Sequence, residues 1–112
     1  MTAYAVAHLH HSALHPDIVE YIDRIQDTLD PFRGRFLLHG PPAEVVEGSF
    51  EGNLVLIAFP GLAEARAWYA SPAYREILHL RTDHIAGDIV LAEGVAPGYD
   101  PRTTAATLRA AL

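Results

Sequence analysis

The chain has 112 residues, of which half are hydrophobic and a fifth are charged, proportions typical of one soluble globular domain. It contains no cysteine, which excludes disulfides, thiolate nucleophiles and cysteine-ligated metal centres. The formal net charge is −6, so we expect no general binding to nucleic acid or to a membrane surface. No apolar run approaches the ~18 residues of a membrane span, and residues 1–4 lack a basic signal-peptide region. We therefore expect a cytoplasmic protein.

The chain opens with a predicted strand over residues 2–10, in which β-prone residues partly alternate. Alternation places two sets of side chains on opposite faces, one containing Tyr4, Val6, His8 and His10 and the other mostly alanine. A helix is predicted from Pro16 to about Leu29 because Ile18, Ile22, Ile25 and Leu29 recur at helical spacing. Asp30-Pro31 ends this helix.

The second half of the chain predicts further strands and two helical segments. The strands are expected at 35–39, 54–59 and 88–94, with 44–47 compatible with another short strand; Gly40-Pro41-Pro42 interrupts the chain after the first of these. The helices are expected at about 62–70 and 72–83. Ser71-Pro72 is typical of a helix cap followed by the first helical residue.

The order β-α-β-β-α-β predicts an α+β, ferredoxin-like fold with a four-stranded antiparallel sheet and helices on one face. Another α+β sandwich is the alternative. We expect one domain over residues 1–96 and a C-terminal extension over 97–112. Residues 103–111 of the extension have weak helical character, and a short docked helix is expected there, the alternatives being a swap onto a partner, a cap over a pocket, or disorder.

Both faces of the strands at 54–59 and 88–94 are apolar. Because two helices cover only one face of a four-stranded sheet, the other face requires a second cover. A second copy of the same sheet is the simplest one, so we predict a homodimer that packs sheet to sheet. The alternative is a monomer with an exposed apolar sheet.

Several segments resemble the domain-of-unknown-function 1330 family, one of the dimeric α/β-barrel groups. The resembling segments are residues 3–8 (AYAVAH), 34–37 (GRFL), 46–48 (VEG) and 59–74 (FPGLAEARAWYASPAY), followed by Arg81. The resemblance covers about residues 3–95 and implies the ferredoxin-like fold and the dimer. It implies no reaction, although related dimeric barrels include cofactor-free monooxygenases, lactone isomerases and haem-binding enzymes.

The segment after Pro72 contains the main candidate ligand site. Tyr74, Ile77, Leu78 and Arg81 share one helical stripe, so a cation lies on an apolar face. With Trp68, Tyr69 and Tyr74, Arg81 would form an aromatic wall suited to a small acidic or phenolic molecule. The alternative is that the aromatic residues belong to the core and Arg81 reaches solvent or pairs with Asp83 or Glu76.

Seven histidines are many for this length. If His8 faces the barrel interior, it could act as a general base, because the unperturbed pKa of a histidine lies near neutrality. His8 and His10 also have the spacing of two metal ligands on one strand face, with His39 or Glu93 as a third. We expect no cofactor and no physiological metal. Haem ligation by His79 or His84 has no supporting local motif.

Two functions of different classes follow from these residues. The first is a homodimer that binds a small organic molecule and catalyses a cofactor-free isomerisation, cyclisation or oxygenation. The second is a non-enzymatic small-molecule-binding or stress-associated protein, and a histidine-based metal or haem protein is a further alternative. The motifs of nucleotide-binding enzymes, serine hydrolases and zinc proteases are absent from the sequence.

Overall fold

The computed structural model describes residues 1–41 and 43–112. Its strands are β1 (Ala3–Leu9), β2 (Arg35–His39), β3 (Asn53–Phe59) and β4 (Gly87–Glu93). Its α-helices are α1 (Pro16–Leu29), α2 (Leu62–Ala70), α3 (Pro72–Thr82) and α4 (Pro101–Ala110), and a short 3₁₀ turn, Asp30–Phe32, follows α1.

The four strands form one antiparallel sheet in the order β2-β3-β1-β4. This confirms the predicted α+β, ferredoxin-like fold, in which the two central strands are the first and the third. The short strand suggested at 44–47 is wrong, because these residues lie in an exposed connection between β2 and β3 with bends at its end. Pro42, part of the predicted break after β2, lies outside the described residues.

The core lies between the sheet and helices α1, α2 and α3. The predicted alternation of β1 is present: Ala3, Ala5 and Ala7 are buried on the helix side. The buried face of α1 differs from the predicted stripe, because Ile22 is half exposed and Tyr21 is buried instead. Tyr21 lies three residues after Ile18 and four before Ile25, so it occupies the same helical face.

Local chemistry positions α3. Ser71 ends α2 with extended backbone angles, and its hydroxyl accepts a hydrogen bond from the backbone N–H of Tyr74 at 3.3 Å. Pro72 then occupies the first turn, where a missing N–H costs nothing. The predicted helix start is therefore confirmed, and it brings the face carrying Tyr74, Ile77 and Arg81 into the core.

The turn between α1 and β2 requires a glycine. A Cβ on Gly34 would lie 2.7 Å from Cδ2 of Leu29 and 2.8 Å from Cε1 of Phe59. Both neighbours are fully buried, so neither can move aside without disturbing the core. Because Gly34 has no side chain, its backbone can lie close to both Leu29 of α1 and Phe59 of β3.

The other face of the sheet has an apolar centre, and within the described residues no helix layer covers it. It carries Val6, Leu38, Leu54, Leu56 and Val90, which the strand register places on one side. These side chains are partly buried or exposed, and Val90 is 55% exposed. We call this surface the open face.

The C-terminal segment forms helix α4, whose start is capped by the side chain of Asp100. All residues of α4 are exposed. A docked position on another surface of the protein stays a prediction. Of the helices in the described part of the chain, none has the length and apolarity to cross a membrane.

Candidate ligand-binding site

A cavity of about 250 Å³ lies between the sheet and the helices. Its floor includes Ala5 and Ala7 of β1, and its roof includes Ile18, Tyr21 and Ile25 of α1. Because the side chains of Ala5 and Ala7 are small, they leave a space above the central strand that larger side chains would fill. The lining is mainly apolar, which is typical of a small-molecule site.

Arg81 supplies the charge of this cavity. It lines the cavity from α3 and is only 5% exposed. Among the described residues no carboxylate forms an ion pair with it, and its buried Nε has no hydrogen-bond partner. Glu76, suggested as a partner by the sequence, lies near Arg24 instead, at 3.7 Å. Arg81 is thus a buried cation facing a cavity without a counter-charge.

Two tyrosine hydroxyls meet in the cavity wall near this cation. The hydroxyl oxygens of Tyr21 and Tyr74 are 2.8 Å apart, and the guanidinium carbon of Arg81 lies 5.7 Å from the ring centre of Tyr21. Burial raises the pKa of Tyr21, and the nearby Tyr74 raises it further, while Arg81 acts in the opposite direction. The raised pKa keeps the Tyr21 phenol protonated, so this hydroxyl can donate a hydrogen bond as well as accept one.

Of the other two aromatic candidates, Trp68 and Tyr69, one contributes to the cavity wall. Trp68 lines the cavity, and its indole N–H donates to the hydroxyl of Thr28 at 3.0 Å, which anchors the ring. Tyr69 does not line this cavity; it borders a second, more open depression, which shares Arg81, Ile85 and Ile89 with the cavity. Tyr69 also lies beneath the guanidinium of Arg75, at 4.7 Å. The structure therefore brings Trp68, Tyr74 and Arg81 together and leaves Tyr69 beside them.

Two residues that line the cavity, Tyr21 and His39, were not predicted from the sequence to do so. A β-bulge in β2 between Phe36 and Leu38 places both Phe36 and His39 opposite core-facing residues of β3. His39 consequently lines the cavity near its rim. Regular alternation would turn Phe36 and His39 to opposite faces.

His8 lies apart from this cavity, which corrects the hypothesis that it acts on a ligand held by Arg81. It occupies the face of β1 opposite the buried alanines, where its Nε2 contacts the backbone carbonyl of Glu51 and its ring stacks on Phe50. His39 faces the helices, whereas His8 is on the opposite face of the sheet. The suggested metal set of His8, His10 and His39 is therefore not brought together.

The histidines near the second helical segment have other neighbours. His79 is exposed on α3. His84 follows α3, and its Nε2 lies 2.9 Å from a carboxylate oxygen of Asp17. His15 stacks on His84 with ring centres 3.8 Å apart. These three residues, His15, Asp17 and His84, are the one cluster within residues 1–41 and 43–112 whose side chains could hold a metal ion.

Residues 2–95 match the family model described as Domain of unknown function (DUF1330). The chain belongs to this family. The match confirms the resemblance drawn from the Trp-Tyr-Ala-Ser-Pro segment and ends before α4. None of the curated proteins matches the sequence significantly.

Solved structures similar to this DUF1330 protein have the same fold at low identity. RPA0582 of Rhodopseudomonas palustris, described as a protein of unknown function, is 14% identical with a TM-score of 0.65, covering 88% of this chain and 84% of that one. SnoaB of Streptomyces nogalater, described as a cofactor-independent oxygenase, has a TM-score of 0.52 at 14% identity and coverages of 88% and 96%.

A third similar structure is a dimeric protein of unknown function with a ferredoxin-like fold from Bacteroides fragilis. It has a TM-score of 0.51 at 12% identity and covers 83% of this chain and 95% of that one. All three are below 15% identical to this DUF1330 protein. These similarities therefore establish its fold, and its chemistry has to be inferred from its own residues.

Proposed function

We propose that this protein is a homodimer that binds a small organic acid or phenol in the cavity beneath α1 and α3. One observation carries the proposal: Arg81 is a buried cation that faces a cavity and has no anionic partner among the described residues. A buried charge without a partner is costly. An anionic ligand would supply the missing partner.

The chemistry of the wall defines the class of ligand. Arginine stays charged at any physiological pH and presents a planar set of donors that fits a carboxylate with two parallel hydrogen bonds. The hydroxyls of Tyr21 and Tyr74 offer further hydrogen bonds beside it. The rest of the lining is largely aliphatic and aromatic, so the body of the ligand should be apolar.

The size of the cavity limits the ligand. About 250 Å³ is slightly below the usual range of small-molecule sites. A single-ring aromatic acid or a short branched acid suits this volume better than a nucleotide or a polycyclic compound.

The open face supports the dimer. Its apolar side chains, Val90 and Leu38 among them, are exposed in the single chain, and a second copy packed on them would remove them from water. The similar protein from Bacteroides fragilis is described as dimeric. We therefore propose that the two open faces pack against each other.

A cofactor-free reaction on the bound ligand is a second candidate, favoured by the similarity in fold to SnoaB, described as a cofactor-independent oxygenase. In this chain the proton-carrying groups of the cavity wall are Tyr21, Tyr74 and His39. His8 is on the open face and does not line this cavity. A non-enzymatic binding protein would use the same wall without turnover.

The test measures binding of benzoate and salicylate by calorimetry, with benzamide as the uncharged analogue, and compares Arg81→Met with Arg75→Met. Both arginines are on α3, but Arg75 is exposed and serves as the matched control. Because a charge-assisted bond contributes about 1.5–3 kcal/mol, Arg81→Met should weaken benzoate binding by roughly 10–100-fold. Arg75→Met should leave it unchanged, and benzamide should bind weakly to all three proteins.

A second variant separates charge from volume. Ala7→Leu would extend a larger side chain into the cavity and should block benzoate while Arg81 is intact. The proposal fails if benzoate binds equally well to the wild type, Arg81→Met and Ala7→Leu, or if none of the acids binds the wild type. Loss of substrate or formation of product in the same samples would separate the enzyme from the binding protein.

A further inference from the structure

A cluster of three metal-binding side chains lies outside the cavity, where the start of α1 meets the turn after α3. It consists of His15, Asp17 and His84, which are half-buried. One donor atom from each residue lies within 4.8 Å of the other two. The cluster differs from the metal set suggested by the sequence, which was His8 and His10 with His39 or Glu93, and His84 was considered there for haem alone.

The distances in the cluster match the spacing of ligands around one small cation. His84 Nε2 is 2.9 Å from Asp17 Oδ2, and His15 Nδ1 is 3.7 Å from the same oxygen. Tetrahedral zinc, with ligands at 2.0–2.2 Å, separates neighbouring ligand atoms by about 3.3–3.6 Å. The two distances to Asp17 lie on either side of that spacing, and the donor atoms of the two histidines lie within 4.8 Å of each other.

The donor set indicates the kind of metal. Two imidazoles and one carboxylate favour zinc and other divalent transition metals, whereas magnesium and calcium prefer sites made of oxygens alone. Asp17 also provides the negative charge that a cation requires near the positive end of the α1 dipole. Three protein ligands leave a fourth position for water or a small anion.

The fold holds the ligands close together before any metal binds. His15 precedes α1 and Asp17 lies in its first turn, while backbone hydrogen bonds from His84 and Ile85 to the carbonyl of Arg81 fix the turn that carries His84. The Nδ1 of His15 accepts the backbone N–H of Asp17 at 3.0 Å. A metal at this nitrogen would replace that helix-capping bond.

We propose that His15, Asp17 and His84 form a binding site for a zinc-type divalent transition metal ion. Bound metal would fasten the start of α1 to the turn after α3. Ile18 and Ile85, each adjacent in sequence to a ligand, line the cavity. The metal would therefore brace one end of the cavity.

The experiment titrates zinc chloride into untagged, chelator-treated full-length protein by calorimetry at pH 7.5. Asp17→Asn and His84→Gln each remove one ligand and keep a side chain of similar size. His10→Gln and His11→Gln remove exposed histidines outside the cluster and serve as matched controls. The wild type should bind one zinc ion per chain, each ligand variant should lose at least about tenfold in affinity, and the controls should match the wild type.

Two further readouts do not depend on how well the variants fold. X-ray absorption of the zinc-loaded wild type should show two imidazole ligands and otherwise oxygen. Zinc should also raise the melting temperature of the wild type, since it binds only the folded cluster. The proposal is overturned if the zinc affinities of Asp17→Asn and His84→Gln equal that of the wild type, if the control variants lose as much, or if the absorption spectrum shows fewer than two imidazoles.

Discussion

The hydroxyl oxygens of Tyr21 and Tyr74 lie 2.8 Å apart in the protein interior, although 53 residues separate them in the chain. The contact joins α1 to α3 at the wall of the cavity. It satisfies two buried polar groups at once, and it places two proton donors near the buried guanidinium of Arg81.

Removing both hydroxyls of this pair should cost less stability than the sum of the two single removals. Tyr21→Phe leaves the buried hydroxyl of Tyr74 without its partner, and Tyr74→Phe does the same to Tyr21. Each single variant should lose about 1–3 kcal/mol of unfolding free energy. The double variant should lose less than the sum, as measured by chemical denaturation in a double-mutant cycle. Strict additivity would show that the two hydroxyls do not interact.

The stability of the protein should fall in alkaline solution because of Tyr21. Burial raises the pKa of this phenol above its ordinary value of 10.0. Below pH 10 the Tyr21 phenol is protonated in both the folded and the unfolded state. Above pH 10 the unfolded chain loses this proton, whereas the folded protein keeps it. The unfolding free energy therefore decreases as the pH rises past about 10.

Denaturation curves at pH 9 and pH 11 test this dependence. Tyr21→Phe should reduce the difference between the two pH values, whereas Tyr99→Phe, which removes an exposed phenol, should leave the difference as in the wild type. An equal pH dependence in the wild type and Tyr21→Phe would contradict the assignment to Tyr21.

A charge on the open face should dissociate the proposed dimer. Val90 is already 55% exposed in the single chain, so Val90→Asp should cost the monomer little. In a sheet-to-sheet dimer the same carboxylate would be buried without a partner, which is strongly unfavourable. Light scattering should give a dimer mass for the wild type and a monomer mass for Val90→Asp.

The control for this experiment is Val19→Asp. Val19 is 49% exposed on α1, which lies on the helix side of the sheet, opposite the open face. This variant should stay dimeric. A dimeric Val90→Asp would place the contact elsewhere, and a monomeric wild type would refute the dimer itself.

Deleting residues 97–112 should leave both the fold and the dimer intact. Every residue of α4 is exposed, and the family match ends before it. The melting temperature and the dimer mass of the truncated protein should therefore equal those of the full chain. Dissociation of the truncated protein would show that α4 packs on the partner subunit.

Much of the local structure could be predicted from neighbouring residues. The alternation in residues 3–9 correctly assigned the buried alanines to one face, and Ser71-Pro72 correctly predicted the start of α3. The spacing of Tyr74, Ile77 and Arg81 also placed the cation on the buried face of this helix. Such patterns are reliable because strand and helix periodicity depend on residues close together in the chain.

The candidate site was less predictable because its parts come from distant segments. Tyr21 lies on the buried face of α1, but the helical spacing of the isoleucines predicted the more exposed Ile22 in its place. The inward position of His39 depends on a bulge against β3, which the alternation of β2 does not reveal. His8 was considered as a base if it faced the barrel interior, and the register of β1 places it on the open face, apart from Arg81 and the cavity.

By itself, then, the sequence determined the order of elements, the amphipathic faces and the presence of a cation on an apolar stripe. The tertiary structure decided that this cation has no anionic partner among the described residues and faces a cavity, and that His15, Asp17 and His84 come together. The physical reason is that element order and amphipathic faces follow from local backbone geometry. Counter-charges, cavities and ligand clusters depend on packing between elements tens of residues apart.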